Sequence, residues 1–71
     1  MNRINPNKLL HSKWTAARPQ NREKHFLVVD CERDLEDKVI TVEIEAVLTR
    51  RSAIIPWQQL QDPTTWVMGW R

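Results

Sequence analysis

The sequence predicts a small all-β domain of five antiparallel strands, and two observations carry that prediction. Residues 38–49 alternate apolar and polar side chains, and a period of two over about ten positions is typical of a half-buried antiparallel strand. The other apolar segments are short and are separated by turn residues such as 34–37 and 50–51. The apolar members of the long alternating run are Ile40, Val42, Ile44, Ala46 and Leu48.

Length and cysteine content restrict how such a fold is held together. The chain has 71 residues and is expected to form one domain over residues 1–71. A chain this short buries only about 60% of the surface exposed by its unfolded form, so it needs additional staples. Cys31 is the only cysteine, and two histidines without Cys-x-x-Cys spacing do not indicate a metal site. We expect no metal or cofactor, and expect the four tryptophans to act as the staples.

The first element is a short helical turn over residues 6–11. Asn5 is a suitable cap and Pro6 suits the first helical position. Leu9 and Leu10 follow within the same turn, and we expect both leucines to close one end of the core.

A short first strand over 13–17 is expected to lead into a polar loop over 18–24. Pro19 disfavours both helix and central strand at that point. This loop is the longest in the predicted fold, and long loops in compact domains are often functional.

The second strand spans residues 25–34. Its odd positions, Leu27, Val29 and Cys31, lie on one face and are predicted to point into the core. Cys31 is therefore interpreted as a small core residue and not as a reactive thiol.

The last elements are a return strand over 52–57, a 3₁₀ turn over 57–63 and a final strand over 64–71. Pro56 marks the edge or the end of the return strand because it has no N–H to donate. This order resembles an SH3-like barrel, in which one 3₁₀ turn separates the last two strands. The alternative is an open, strongly twisted antiparallel sheet with the N-terminal turn packed across it.

The alternation within each strand assigns the core. The predicted core residues are Trp14, Leu27, Val29, Ile40, Val42, Ile44, Ala46, Leu48, Ile55, Trp57, Trp66, Met68 and Trp70.

Charge is unevenly distributed along the chain. Residues 1–25 carry six basic side chains and one acidic one (+5), whereas residues 26–71 carry five basic and eight acidic ones (−3). Such a split can indicate contact with nucleic acid, although a solvated basic loop produces the same pattern. The expected partner is RNA or a ribonucleoprotein, and the candidate binding residues are Lys8, Lys13, Arg18, Arg22, Lys24, Arg50 and Arg51. The alternative is a protein–protein adaptor that recognises a peptide through an exposed tryptophan and the 18–24 loop.

No enzyme chemistry is indicated. Glu43 and Glu45 are paired carboxylates, but they lie on the polar face of the alternating strand and are expected to pair with Lys or Arg on neighbouring strands. A Cys31–His25 nucleophile pair would span roughly 20 Å at the rise of a strand. The single glycine excludes a glycine-rich phosphate loop.

The N-terminus lacks an apolar run of signal-peptide length, and no segment approaches the ~20 apolar residues of a membrane span. With its free cysteine, the chain is expected to be cytoplasmic, without a membrane partner. The small core also makes a homodimer possible.

Five motifs together resemble a known family. They are NPNKLLHSKWTA, REKHF, EAVLT-R, PW-x-x-L-x-D and W-x-MGW, and they cover nearly the whole chain. The chain resembles small tryptophan-rich bacterial proteins, a domain-of-unknown-function family of proteobacteria and cyanobacteria. The resemblance implies a free-standing small protein, but it implies no activity and carries over no catalytic or binding residue.

Overall fold

The computed structural model describes residues 1–71 and contains one antiparallel sheet of five strands. The elements in chain order are η1 (Pro6–Lys8), β1 (Lys13–Gln20), β2 (Glu23–Arg33), β3 (Val39–Ala46), β4 (Ser52–Pro56), η2 (Trp57–Gln61) and β5 (Trp66–Met68). The strand order is β4-β3-β2-β1-β5, so β4 and β5 form the two edges and do not pair with each other. The prediction of an all-β, antiparallel fold with a 3₁₀ turn before the last strand is confirmed, but the sheet is not closed.

The N-terminal turn is shorter than residues 6–11. Asn5 caps it by accepting a hydrogen bond from the Asn7 N–H (3.1 Å), and Pro6 occupies its first turn as expected. The helix ends early because His11 adopts a positive φ of 67° and donates its N–H to the Val28 carbonyl, which starts the pairing with β2. Leu9 is buried in the core, whereas Leu10 is exposed, so the prediction for Leu10 is wrong.

The predicted 18–24 loop is a continuous β-hairpin. β1 runs to Gln20 and β2 begins at Glu23, so only Asn21 and Arg22 form the turn. Both turn residues have positive φ (55° and 62°), as in the type I′ turns whose twist matches that of the flanking strands. Pro19 fits within β1 because the β1–β2 register is irregular between Thr15 and Gln20.

A β-bulge reverses the predicted faces of β2. Val28 pairs with Ile44 and Asp30 with Glu43, which leaves Val29 as the extra residue. Val28 and Cys31 therefore both face inward, and Val28 is fully buried while Cys31 packs against the core. The predicted core positions Leu27 and Val29 are only partly buried, because the odd positions before the bulge face outward.

A second irregularity displaces Ile40. Arg33 pairs with Val39 and Glu32 with Thr41, so Ile40 is inserted between them and is exposed while Val39 is buried. Beyond this point the alternation holds, and Val42, Ile44 and Ala46 are buried as predicted.

The predicted core residues near strand ends are exposed for a different reason. β3 ends at Ala46, so Leu48 lies in the following turn and is 70% exposed. β5 ends at Met68 on a sheet edge, which leaves that side chain without a neighbour on its free side, and Trp70 lies beyond the strand. Leu48, Met68 and Trp70 are therefore not core residues.

The core centres on Trp14 and Trp66. The buried cluster consists of Leu9, Trp14, Val28, Val39, Val42, Ile44, Leu60 and Trp66, with Ile55 and Trp57 packed against it. The indole N–H of Trp14 donates to Ser12 Oγ (2.9 Å), so its one polar atom is satisfied. Phe26 meets Trp66 edge to face, with ring centroids 5.0 Å apart.

Asn2 fastens the N-terminal segment to the β5 side of the sheet. Its side-chain amide donates to the carbonyls of Leu60 (2.8 Å) and Trp66 (2.9 Å), and its backbone N–H donates to Gln61 (2.9 Å). These bonds connect η2 to β5 and occupy part of the β5 edge.

Candidate functional site

Two turns meet at one end of the sheet, and we call this region, residues 18–24 and 47–51, the basic end. Thr49 donates a hydrogen bond to Glu23 Oε2, and Arg51 Nη1 lies 3.7 Å from Glu23 Oε1. Arg22, Lys24, Val47 and Leu48 line one crevice there together with His25. The β1–β2 and β3–β4 turns are thus held together by Glu23.

Glu23 is the only carboxylate of the basic end, and its charge is already compensated. Its side chain is 11% exposed, whereas that of Arg51 is 68% exposed. The cations of the basic end are Arg18, Arg22, Lys24, Arg50 and Arg51. The exposed surface is therefore strongly positive.

An indole lies beside this surface. Gly69 has a φ of 78°, which only glycine adopts readily, and this turn directs the chain over the outer face of β1 and β2. Thr15 holds the turn, because its hydroxyl donates to the Gly69 carbonyl (2.7 Å) and accepts from the Arg71 N–H (2.9 Å). Trp70 then lies across the two strands, with its N–H donating to the Phe26 carbonyl (2.9 Å).

Trp70 is 43% exposed and is flanked by two basic side chains. The Lys13 ammonium lies 4.8 Å from the centroid of the indole, a cation–π geometry. The His25 ring lies 5.9 Å from it at an interplanar angle of 43°. We call Lys13, His25 and Trp70 the Trp70 patch, and His25 joins this patch to the crevice of the basic end.

A groove on the opposite side of the basic end runs toward the gap between β4 and β5. It encloses about 400 Å³, its floor is formed by Phe26 and Trp66, and Arg18 and Arg51 lie along it. A smaller cavity of about 190 Å³ shares Phe26, Trp66 and Arg51 and extends the groove along the inner face of β4.

A family profile described as Tryptophan-rich protein (DUF2389) matches residues 12–71. The chain belongs to this family. The match in this DUF2389 protein begins just after η1 and contains every strand, all four tryptophans and the complete basic end. No curated protein and no solved structure matches the chain.

The fold of this DUF2389 protein brings most of the predicted basic residues together. Arg18, Arg22, Lys24, Arg50 and Arg51 belong to the basic end, and Lys13 belongs to the Trp70 patch. Lys8 lies apart, because Asn7 contacts Arg33 at the far end of β2, on the order of 30 Å from the hairpin turn at the rise of a strand.

Trp70 and His25 were not among the predicted binding residues. Trp70 was assigned to the core because Trp66, Met68 and Trp70 are two residues apart. The signal for a different placement was Gly69, since a glycine near a strand end often marks the position where the backbone turns.

The predicted carboxylate pair lies on β3, and Glu45 stands in the same cross-strand row as Lys13, with Leu27 between them. Glu43 accepts a hydrogen bond from Ser52 Oγ (2.8 Å) and lies opposite Asp30, and Glu45 lies opposite Leu27. Neither Glu43 nor Glu45 forms an ion pair, so the prediction of Lys or Arg partners is wrong for both.

Burial raises the pKa of the Cys31 thiol; nearby Arg33 opposes this effect and Asp30 adds to it. No group of three or more His, Cys, Asp or Glu side chains is arranged to hold a metal ion. No helix is long and apolar enough to cross a membrane.

Proposed function

We propose that this protein is a non-enzymatic, cytoplasmic binding module of bacteria whose ligand is single-stranded RNA. We also propose that the fold is an SH3-like barrel. Two features support this assignment: the strand order, and the position of η2 between β4 and β5. In this assignment the seam between β4 and β5 is an open barrel edge.

The observation that carries the proposal is the exposed indole of Trp70 beside a cluster of cations. Proteins that bind single strands combine aromatic rings, on which bases stack, with a basic surface that follows the phosphates. Trp70 supplies such a ring, and Lys13 already lies over it at 4.8 Å. A base that stacks on the indole displaces the Lys13 ammonium from the face of the ring and leaves it within reach of the phosphate.

The basic end extends this surface along the path of a strand. His25 contacts both Trp70 and the crevice lined by Arg22 and Lys24, so successive phosphates meet Lys13, Lys24 and Arg22. Glu23 does not repel them, since Thr49 and Arg51 occupy its carboxylate. This arrangement recognises the backbone and a base face, and therefore predicts little sequence preference.

Charge variants with a built-in control test the electrostatic part. A short fluorescein-labelled oligouridylate is titrated with the wild type, Lys24→Gln and Lys8→Gln at several salt concentrations. For Lys24→Gln, the slope of log K against log salt should become shallower by about 0.7, as expected when one phosphate contact to a single strand is lost. Lys8→Gln removes the same charge from the far end and should leave the slope unchanged. Absence of binding by the wild type at low salt, or equal effects of the two variants, contradicts the proposal.

A second candidate function, a peptide-binding adaptor, is favoured by the groove floored by Phe26 and Trp66. Its volume of about 400 Å³ and its aromatic floor suit a proline-rich segment, which is recognised in aromatic-lined grooves. The 18–24 segment takes part in this candidate as a hairpin and not as a loop.

Titration with a proline-rich peptide, followed by amide chemical shifts, tests the adaptor. If the groove binds the peptide, the amides of Thr64, Thr65 and Trp66 should shift while those around Lys13 do not. If the peptide at millimolar concentration leaves residues 64–66 unshifted, this candidate is rejected.

A further inference from the structure

The two edges of the sheet differ in how completely their backbone is occupied. On β5, the Trp66 N–H donates to Asp62, the Trp66 carbonyl accepts from Asn2, and the Met68 carbonyl accepts from Arg71 Nε. β4 pairs with β3 on one side and with no segment on the other. β4 is therefore the open edge of the molecule.

The hydrogen-bonding pattern between β3 and β4 identifies which backbone N–H and C=O groups of β4 face outward. The Ala46 N–H donates to the Arg51 carbonyl, and the register continues from that pair to Ile44↔Ala53 and Val42↔Ile55. Bonded residues alternate along an antiparallel ladder, so Ala53 and Ile55 direct their backbone groups at β3. Ser52, Ile54 and Pro56 consequently direct theirs away from the sheet.

This outward set is complementary to itself. We propose that β4 pairs antiparallel with β4 of a second copy of the chain, about a twofold axis at Ile54. Ile54 then exchanges both of its backbone hydrogen bonds with Ile54 of the second copy. Ser52 comes to lie opposite Pro56 of the second copy, whose carbonyl faces the Ser52 N–H. Pro56 has no N–H for the Ser52 carbonyl, and its ring stands in that place, so the ladder ends at this pair.

The side chains of β4 agree with such a contact. The strand Ser52–Pro56 contains no charged residue. Ile54 is 69% exposed on the outer face, and pairing covers it with its counterpart. Edge strands that remain single usually carry charges, prolines or bulges that prevent pairing. β4 has no charge at any position, and its one proline, Pro56, stands at its end.

The charge distribution favours the antiparallel orientation. Arg50 and Arg51 precede β4, whereas Thr41↔Pro56 places the other end of β4 beside the start of β3, which follows the turn containing Asp34, Glu36 and Asp37. An antiparallel pair therefore places the basic turn of one copy toward the acidic turn of the other. This complementarity is the reason to assign the edge to a second copy and not to an unrelated strand.

Backbone amide exchange as a function of protein concentration tests the pairing directly. In a monomer the amides of Ser52 and Ile54 face solvent and exchange rapidly, while those of Ala53 and Ile55 are protected by β3. As concentration rises, protection of Ser52 and Ile54 should increase in parallel with the dimer fraction measured by sedimentation equilibrium.

Ile54→Pro removes the outward N–H without removing a bond to β3, and Ile54→Val keeps that N–H as the matched control. In Ile54→Pro each copy loses the hydrogen bond that its Ile54 N–H donates, so self-association should weaken about 10- to 100-fold. Ile54→Val should dimerise like the wild type. Protection of the Ala53 and Ile55 amides reports whether the proline variant is folded. If that variant is unfolded, the exchange experiment on the wild type decides whether β4 pairs with a second copy.

Three outcomes overturn the proposal. They are a wild type that stays monomeric at millimolar concentration, a dimer in which the Ile54 amide still exchanges as fast as in the monomer, and a folded Ile54→Pro that dimerises like the wild type. The pairing uses Arg50 and Arg51 of the basic end, whereas the proposed RNA path runs over Lys13, Lys24 and Arg22, so the exchange experiment and the salt titration can fail separately.

Discussion

Trp14, within β1, and Trp70, which follows β5 and packs over β1 and β2, are placed very differently. Trp14 is 1% exposed at the centre of the cluster, whereas Trp70 lies on the outer face of the sheet. Both indole N–H groups have partners, Ser12 Oγ for Trp14 and the Phe26 carbonyl for Trp70. The two residues therefore differ in buried area and not in hydrogen bonding.

This difference predicts opposite outcomes for the two alanine variants. Trp14→Ala deletes a buried indole, at a cost of about 3–5 kcal/mol, which is comparable to the whole stability of so small a domain. Trp70→Ala removes a half-exposed ring and should remain folded with a lowered melting temperature. Thermal melts followed by far-UV circular dichroism measure both. A cooperative melt of Trp14→Ala near the wild-type melting temperature would contradict the assignment of Trp14 to the core.

At the scale of elements, the turn from η2 to β5 depends on Asp62. Its carboxylate accepts hydrogen bonds from the Thr64 N–H (2.9 Å), the Thr64 hydroxyl (2.6 Å) and the Thr65 hydroxyl (3.1 Å). The hydrogen bonds from Thr64 lower the pKa of Asp62 most, and that from Thr65 adds to this. The ionised form is thus the form that holds the turn.

A pH dependence follows with a definite sign. The folded-state pKa of Asp62 lies below its unfolded value of about 3.9, so its contribution to stability is present above that pH and is lost as the pH falls through the folded pKa. Asp62→Asn retains an oxygen acceptor but does not titrate. Between pH 5 and pH 2 its melting temperature should fall less than that of the wild type, and parallel curves would remove Asp62 from the acid response.

The elements also show what a sequence pattern can and cannot predict. The alternation of β3 located Val42, Ile44 and Ala46 correctly, because β3 has no inserted residue in that stretch. The extra residue opposite it belongs to β2, and the pairing with β4 is uninterrupted. The prediction from alternation was wrong at Val29 in β2 and at Ile40 in β3. The position of an inserted residue depends on how two strands pair and not on either strand alone. The β1–β2 hairpin was missed because Asn21-Arg22 lacks the glycine that usually marks such a turn.

For the candidate site, the sequence supplied the charges but not their arrangement. The basic N-terminal third was evident from composition, yet Lys8 lies far from the cluster and Arg51 enters it from a different turn. Proximity of Arg51 to Glu23 results from the β2–β3–β4 ladder, which is a long-range property of the fold. The position of Trp70 depends on the Thr15 hydroxyl under the Gly69 turn, a contact that no local pattern reveals.

At the scale of the whole molecule, charge is separated along the long direction of the sheet. The extents are 37 × 25 × 15 Å, and β2 runs from the basic end to an acidic end over residues 30–38. The charged residues of that acidic end are Asp30, Glu32, Asp34, Glu36 and Asp37, with Arg33 and Lys38. A net charge of +2 therefore combines a positive end and a negative end of the sheet.

The positive charge of Arg22 in the Asn21-Arg22 turn has a cost in folding free energy. An arginine in the left-handed region is less stable than glycine by about 1–2 kcal/mol, and Arg22 occupies that region with a φ of 62°. Glycine at this position would relieve the strain but would remove a guanidinium from the tip of the basic end. The hairpin thus retains a cation at its tip at the expense of folding free energy.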